Sequence, residues 1–182
     1  MNTWKLTSFD TFCLGMTIKG AWTYKELPEA SVLQASLDTV LKPYPQLLGR
    51  YDEKQKSVQW TCREEAVRLV ELDRREHSAA EDMYTLVPKF NTDGFKSGKS
   101  RAIEAYRITL CDGAAIVLQG AHALMDGSTF YRIADDWGKT TAGLPVEPMA
   151  MLPDMIKFWQ EKAEGPVQII YDGYAAKIMK RK

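Results

Sequence analysis

The run Gly120-Ala121-His122-Ala123-Leu124-Met125-Asp126-Gly127 sets an imidazole and, four positions on, a carboxylate where a hydrophobic stretch gives way to a helical pattern. An imidazole titrates near working pH, so a histidine held in one orientation suits removal of a proton from a nucleophile as it attacks. Such a ring must offer one nitrogen to its acceptor while the other is pinned, and a strand end opening into a turn allows that. Of the two histidines, His77 lies in the charged stretch Asp73-Arg74-Arg75-Glu76-His77 and reads as surface, which leaves His122. Asp126 reads as an organiser of the turn, either accepting backbone N–H bonds or pairing with a buried arginine. Gly127 is expected to supply backbone freedom for a sharp strand-to-helix reversal.

The elements that would position this pair can be followed along the chain. Residues 12–24 read as a strand, and Pro28 opens a helix with Val32, Leu33, Leu37, Val40 and Leu41 on one face, which must stop before Pro43 and Pro45. Residues 57–62 and 66–72 read as two further strands. Residues 79–84 suggest a short helix, and the turn-rich run 91–100 a mobile loop. Gly94 stands four residues before Gly98, so Gly98-Lys99-Ser100 is not a phosphate-binding P-loop. Residues 102–110 and 114–121 form two strands joined at Cys111-Asp112-Gly113, the second almost uniformly apolar and therefore central. Phe130, Ile133, Ala134 and Trp137 then define a helix face packed back on the sheet, ending at Gly138 and Gly143. An extended connector with Pro145, Pro148 and Pro153 precedes a helix expected over Asp154–Glu164, a short apolar piece Val167–Tyr171 and a basic tail. No internal repeat or low-complexity segment occurs.

The 182 residues suffice for one full core. At 45% apolar and 26% charged, the composition is that of a folded domain. Lys plus Arg equals Asp plus Glu, 24 each, so the electrostatic footprint of a nucleic-acid partner is absent. Cys13, Cys62 and Cys111 are odd in number and form no CxxC pair, which argues for reduced thiols and no metal site. No apolar run approaches the roughly 20 residues that span a bilayer. No membrane partner and a cytoplasmic location are the corresponding expectations.

The segment from Ile116 to Trp137 resembles the HxxxDG region of the chloramphenicol acetyltransferase-like acyltransferase superfamily, most closely the N-terminal half of its BAHD branch. Leu33, Leu37, Leu41 and Tyr44-Pro45-Gln46-Leu47-Leu48-Gly49-Arg50 are similar to that family's "L…SL…L…YP…GR" stretch. Leu6-Thr7-Ser8-Phe9-Asp10 is similar to its "LS…D" opening. All three occur in family order. The resemblance implies His122 as general base, Asp126 as structural support for the loop, and Gly127 as the residue that keeps the turn open beside a substrate tunnel. It further implies an acyl-CoA or carrier-protein thioester as donor, a hydroxyl or amine as acceptor, and no tightly bound cofactor. The fold expected is a two-layer α/β domain, an α+β sandwich with a mixed, largely antiparallel sheet and helices mainly on one face.

Departures from the family pattern shape the other expectations. BAHD members carry two such domains and a DFGWG stretch in the second, and nothing like DFGWG appears here. Residues 1–143 are expected to form the HxxxDG domain. Residues 144–182 would form a connector and helix leading toward a second half-domain, in a longer chain or a partner subunit. A single-domain trimer is disfavoured by the length that follows His122. Ala121 stands where peptide-synthetase condensation domains have a second histidine. The alternative function is a non-catalytic binding domain that retains the fold. Asp135-Asp136 read as a solvated helix face, and Lys177, Lys180, Arg181 and Lys182 as a frayed tail. Met149, Met151 and Met155, near Phe158 and Trp159, read as core packing or an interface cover.

Overall fold

Strand β7 (Ala114–Ala121) is buried at all eight positions, as its apolar sequence requires of a strand covered on both faces. It pairs antiparallel with β2 (Thr17–Tyr24) on one side and with β6 (Ile103–Thr109) on the other. β5 (Leu69–Asp73) adds to β6 in parallel, so the four-stranded sheet is mixed, in the order β2-β7-β6-β5. The computed structural model describes residues 2–61 and 66–147, together with the backbone of residues 167–171 and 176–180.

One sheet face carries helices. Helix α5 (Gly127–Thr141) buries Phe130, Ile133 and Trp137, the face expected from their spacing. The Phe130 ring stacks on Trp22 of β2, with centroids 6.4 Å apart. Helix α2 (Ala30–Leu41) packs on α5 and buries Leu33, Leu37, Val40 and Leu41. Trp137 locks the two helices together: its Nε1–H reaches the Leu33 carbonyl at 3.0 Å and the Ser36 hydroxyl at 3.1 Å. The opposite face is covered by irregular chain. There Met83, Leu86 and Val87 pack on Tyr106, Ile108, Ala115 and Val117. The α/β class, the mixed sheet and the helical face agree with the sequence.

A second, smaller sheet was not foreseen. β1 (Asn2–Lys5), β4 (Ser57–Trp60) and β3 (Arg50–Asp52) pair antiparallel in the order β1-β4-β3. Helix α3 (Pro45–Leu48) begins with proline in its first turn and leads into β3.

Several boundaries shift for identifiable reasons. The strand expected from residue 12 starts at Thr17, because Thr7 and Asp10 form a reciprocal capping box that opens helix α1 (Ser8–Phe12). A 3₁₀ turn over Cys13–Gly15 continues that helix to the strand. The strand expected over 66–72 occupies Leu69–Asp73. The turn-rich run 91–100 contains helix α4 (Thr92–Lys96), capped by the Asn91 side chain on the Gly94 N–H. Residues that read as loop formers are therefore serving as caps. The helix expected over 79–84 reduces to a 3₁₀ turn at Met83–Thr85. Gly138 lies inside α5, whose end is marked instead by Gly143 at φ 69°.

Backbone contacts divide the chain into Met1–Val146 and Glu147–Lys182. In the second unit, β8 (Val167–Tyr171) coincides with the short apolar piece and pairs antiparallel with β9 (Ala176–Lys180). Lys177 and Lys180 therefore lie in a strand rather than a frayed tail. The helix expected over Asp154–Glu164, the residues Met149, Met151, Met155, Phe158 and Trp159, and the terminal Arg181 and Lys182 lie outside the described residues.

Candidate active site

The sheet delivers His122 to its end. Ala121 closes β7, and its N–H donates to the Ala102 carbonyl at 2.8 Å. The His122 N–H donates to the Met16 carbonyl at 3.0 Å, which extends the β2–β7 ladder by one step. The imidazole itself is half-buried, and among the described residues it makes no hydrogen bond or ion pair. Its main chain is thus clamped and its ring unengaged. Leu124 N–H to Ala121 carbonyl, 3.2 Å, closes the turn that follows.

Asp126 resolves one of the two roles left open for it. Its carboxylate accepts the Thr129 N–H at 2.7 Å, and its carbonyl accepts the Phe130 N–H at 2.9 Å. It is the N-cap of α5, where its charge also meets the positive end of the helix dipole. It forms no ion pair with an arginine among the described residues. The expectation for Gly127 needs correction. Its φ is not left-handed, and a Cβ added there would meet nothing within 4 Å. The reversal is produced by the cap and the preceding turn, not by glycine's extra conformational range. Glycine does leave open space at that position.

The glycine that the backbone requires is Gly120, which the sequence reading passed over. A Cβ there would sit 2.5 Å from the Ala102 carbonyl oxygen and 2.5 Å from the Met125 methyl. Only glycine lets β6 and Met125 close around the residue two before His122. The available signal was a lone glycine in a largely apolar strand. Met16 was missed as well, because nothing local in the sequence links it to His122.

Beside this turn lies a buried polar group. Gln119, fully buried on β7, donates from Nε2 to the Glu104 carboxylate at 2.8 Å and to the Pro88 carbonyl at 2.9 Å. The Tyr106 hydroxyl donates to the same Glu104 oxygen at 2.9 Å. Burial, and then the Glu104 hydrogen bond, push the Tyr106 phenol far above its usual range. Cys13 is buried, and that burial, with Asp10 adding to it, raises its thiol pKa, the reverse of an activated nucleophile.

The remaining candidates separate. The Gly98, Lys99 and Ser100 N–H groups are used by the Phe95 and Gly94 carbonyls, so they cradle no phosphate. His77, on the exposed segment, pairs through Nδ1 with Glu81 at 2.7 Å. Asp135 is exposed and pairs with Lys139 at 2.7 Å, as a solvated face requires. Asp136 does not: it is buried, with Arg132 Nε at 2.7 Å on one oxygen. Neighbouring positions on a helix diverge, and this one turns toward buried Tyr44 and away from solvent. A concavity of about 690 Å³, lined by Trp22, Leu33, Ile116, Tyr131 and Trp137, borders the C-terminal half of α5, and His122 is not among its lining residues.

No protein-family model matches the chain, and no curated relative does. Solved structures do. SgcC5 from Streptomyces globisporus superposes over 90% of this chain and 43% of its own, at 17% identity and TM-score 0.68. TRI101 of F. graminearum, complexed with coenzyme A and T-2 mycotoxin, superposes over 86% and 44%, at 13% identity and TM-score 0.62. The first condensation domain of the calcium-dependent antibiotic synthetase, in complex with a substrate analogue, superposes over 89% and 44%, at 14% identity and TM-score 0.62. The chain has the chloramphenicol acetyltransferase-like fold. It spans less than half the length of these matching structures. Within this fold, the described part of the chain supplies one four-stranded sheet, its covering helices and the His122 turn.

Proposed function

We propose that the chain is an acyltransferase domain that moves an acyl group from a thioester of coenzyme A, or of a carrier protein, to a hydroxyl or amine. The observation that carries this reading is the unengaged imidazole of His122 on a clamped main chain at the end of a buried strand. In the proposed reaction, His122 takes the acceptor's proton as its oxygen or nitrogen attacks the thioester carbonyl. The tetrahedral intermediate collapses, the carbon–sulfur bond breaks, and the imidazolium returns the proton to the thiolate. The chain's own residues then do three things: His122 holds the proton, Met16 and Ala102 hold the strand end that carries it, and Asp126 anchors α5 behind the turn. Support comes from the shared fold and from coenzyme A in the TRI101 complex.

The coverage of less than half of each matching structure supports a second half-domain completing the site, in a longer chain or a partner subunit. The same observation favours the second reading, a non-catalytic binding domain. The test is thiol release from acetyl-CoA with a panel of small alcohols and amines, for the wild-type chain and His122→Ala. Acyl transfer requires acceptor-dependent release that the substitution abolishes. Release that persists in His122→Ala removes the catalytic assignment, and none from the wild type, alone or with its second half-domain supplied, leaves the binding domain.

A further inference from the structure

We infer that Lys96 receives the phosphate of the donor's pantetheine arm, an assignment that rests on the acyl-transfer reading above. Lys96 ends helix α4, which packs on the Cys13–Gly15 turn, and its Nζ lies 3.6 Å from where a Gly15 Cβ would stand. Gly15 precedes Met16, whose carbonyl holds the His122 N–H. Adding one Cα–Cα step and one antiparallel pair spacing puts the ammonium within about 14 Å of the His122 Cα. A pantetheine arm of about thirteen bonds reaches roughly 15 Å from sulfur to phosphorus at the extended-chain rate. A thioester sulfur beside the imidazole therefore brings its phosphate within range of this lysine.

Two further observations point the same way. Lys96 is exposed and makes no ion pair among the described residues; Asp93, one turn earlier, does not engage it, and the Asp10 carboxylate is taken up in the capping box. The run from Phe95 to Arg101 holds Lys96, Lys99 and Arg101 and no acid, so the field there favours an anion. The turn beside Lys96 also presents Phe12, 66% exposed, and Met16, 43% exposed. Large apolar side chains left open beside an unpaired cation suit an arm that carries methyl groups next to a phosphate.

Calorimetric titration of coenzyme A, 4′-phosphopantetheine and pantetheine into the wild-type chain, Lys96→Ala, Lys96→Arg and, as a control, Lys54→Ala tests this. Removing a charge-assisted contact should weaken coenzyme A and 4′-phosphopantetheine about tenfold and leave pantetheine unchanged. Arginine should restore most of the loss, added salt should shrink it, and Lys54→Ala should behave as wild type. Equal weakening of pantetheine would mean a structural role and overturn the assignment. A loss confined to coenzyme A would place the contact at the nucleotide end and overturn it too. Coenzyme A binding unchanged in Lys96→Ala removes this inference and leaves acyl transfer standing. Binding of neither coenzyme A nor 4′-phosphopantetheine by the wild type removes both.

Discussion

His122 and Met16, 106 positions apart in the chain, are joined by a single 3.0 Å bond from the histidine N–H to the methionine carbonyl. That bond lies one step beyond the last β2–β7 pair, Thr17 with Ala121. It fixes where the imidazole starts while leaving the ring itself unbonded. Backbone and side chain of this residue therefore answer to different demands, and substitutions can separate them.

His122→Ala should lower acyl transfer by about 10²- to 10⁴-fold, the usual worth of a positioned base. Because the ring makes no described bond and is half-buried, unfolding free energy should change by less than about 1 kcal/mol. Thiol-release rates set beside thermal melts of the same preparations check both statements. A large drop in stability would show that the ring is structural.

Asp126→Ala removes the α5 cap and should cost about 1 kcal/mol, while Asp126→Ser, which can still accept the Thr129 N–H, should cost little. Urea unfolding of the two variants provides the comparison. Equal losses would point to the charge rather than the hydrogen bond.

Gly120→Ala should destabilise by about 1–3 kcal/mol, since its methyl meets a backbone carbonyl that cannot move aside without disturbing β6. Gly127→Ala should be neutral or slightly stabilising, its methyl entering open space at the start of a helix. Chemical unfolding of the pair, read side by side, decides whether glycine is needed before or after the histidine.

Alkaline pH should weaken the fold through Tyr106. Its phenol is held neutral in the folded state by burial and by donation to Glu104, so its folded pKa stands above its unfolded value of 10.0. The unfolded chain then loses this proton first, and the stabilisation, complete below pH 10, declines as pH rises toward the folded value. Tyr44 and Tyr51 are raised by burial as well and add to the decline. Tyr106→Phe should flatten the fall in melting temperature between neutral pH and pH 11 without abolishing it. A slope identical to wild type would refute the assignment.

The sequence by itself determined the central strand, the helix after it and the base candidate. A run of eight residues at 114–121 with Gln119 as its one polar side chain can be stable only between two neighbours, and Phe130, Ile133 and Trp137 form a stripe that must find the sheet. Those are short-range consequences of periodicity and burial. The turn chemistry at 91–94 reads as loop because Asn and Asp serve loops and helix caps equally well, and only the Asn91 hydrogen bond to the Gly94 N–H distinguishes the two. Tertiary structure alone decided the rest: that Met16 holds His122, that Asp136 is buried while Asp135 is not, and that glycine is required at 120. Each depends on which distant atoms arrive beside a residue, and contacts such as Ala102 with Gly120, 18 positions apart, and Met16 with His122, 106 apart, leave no local pattern from which to read them.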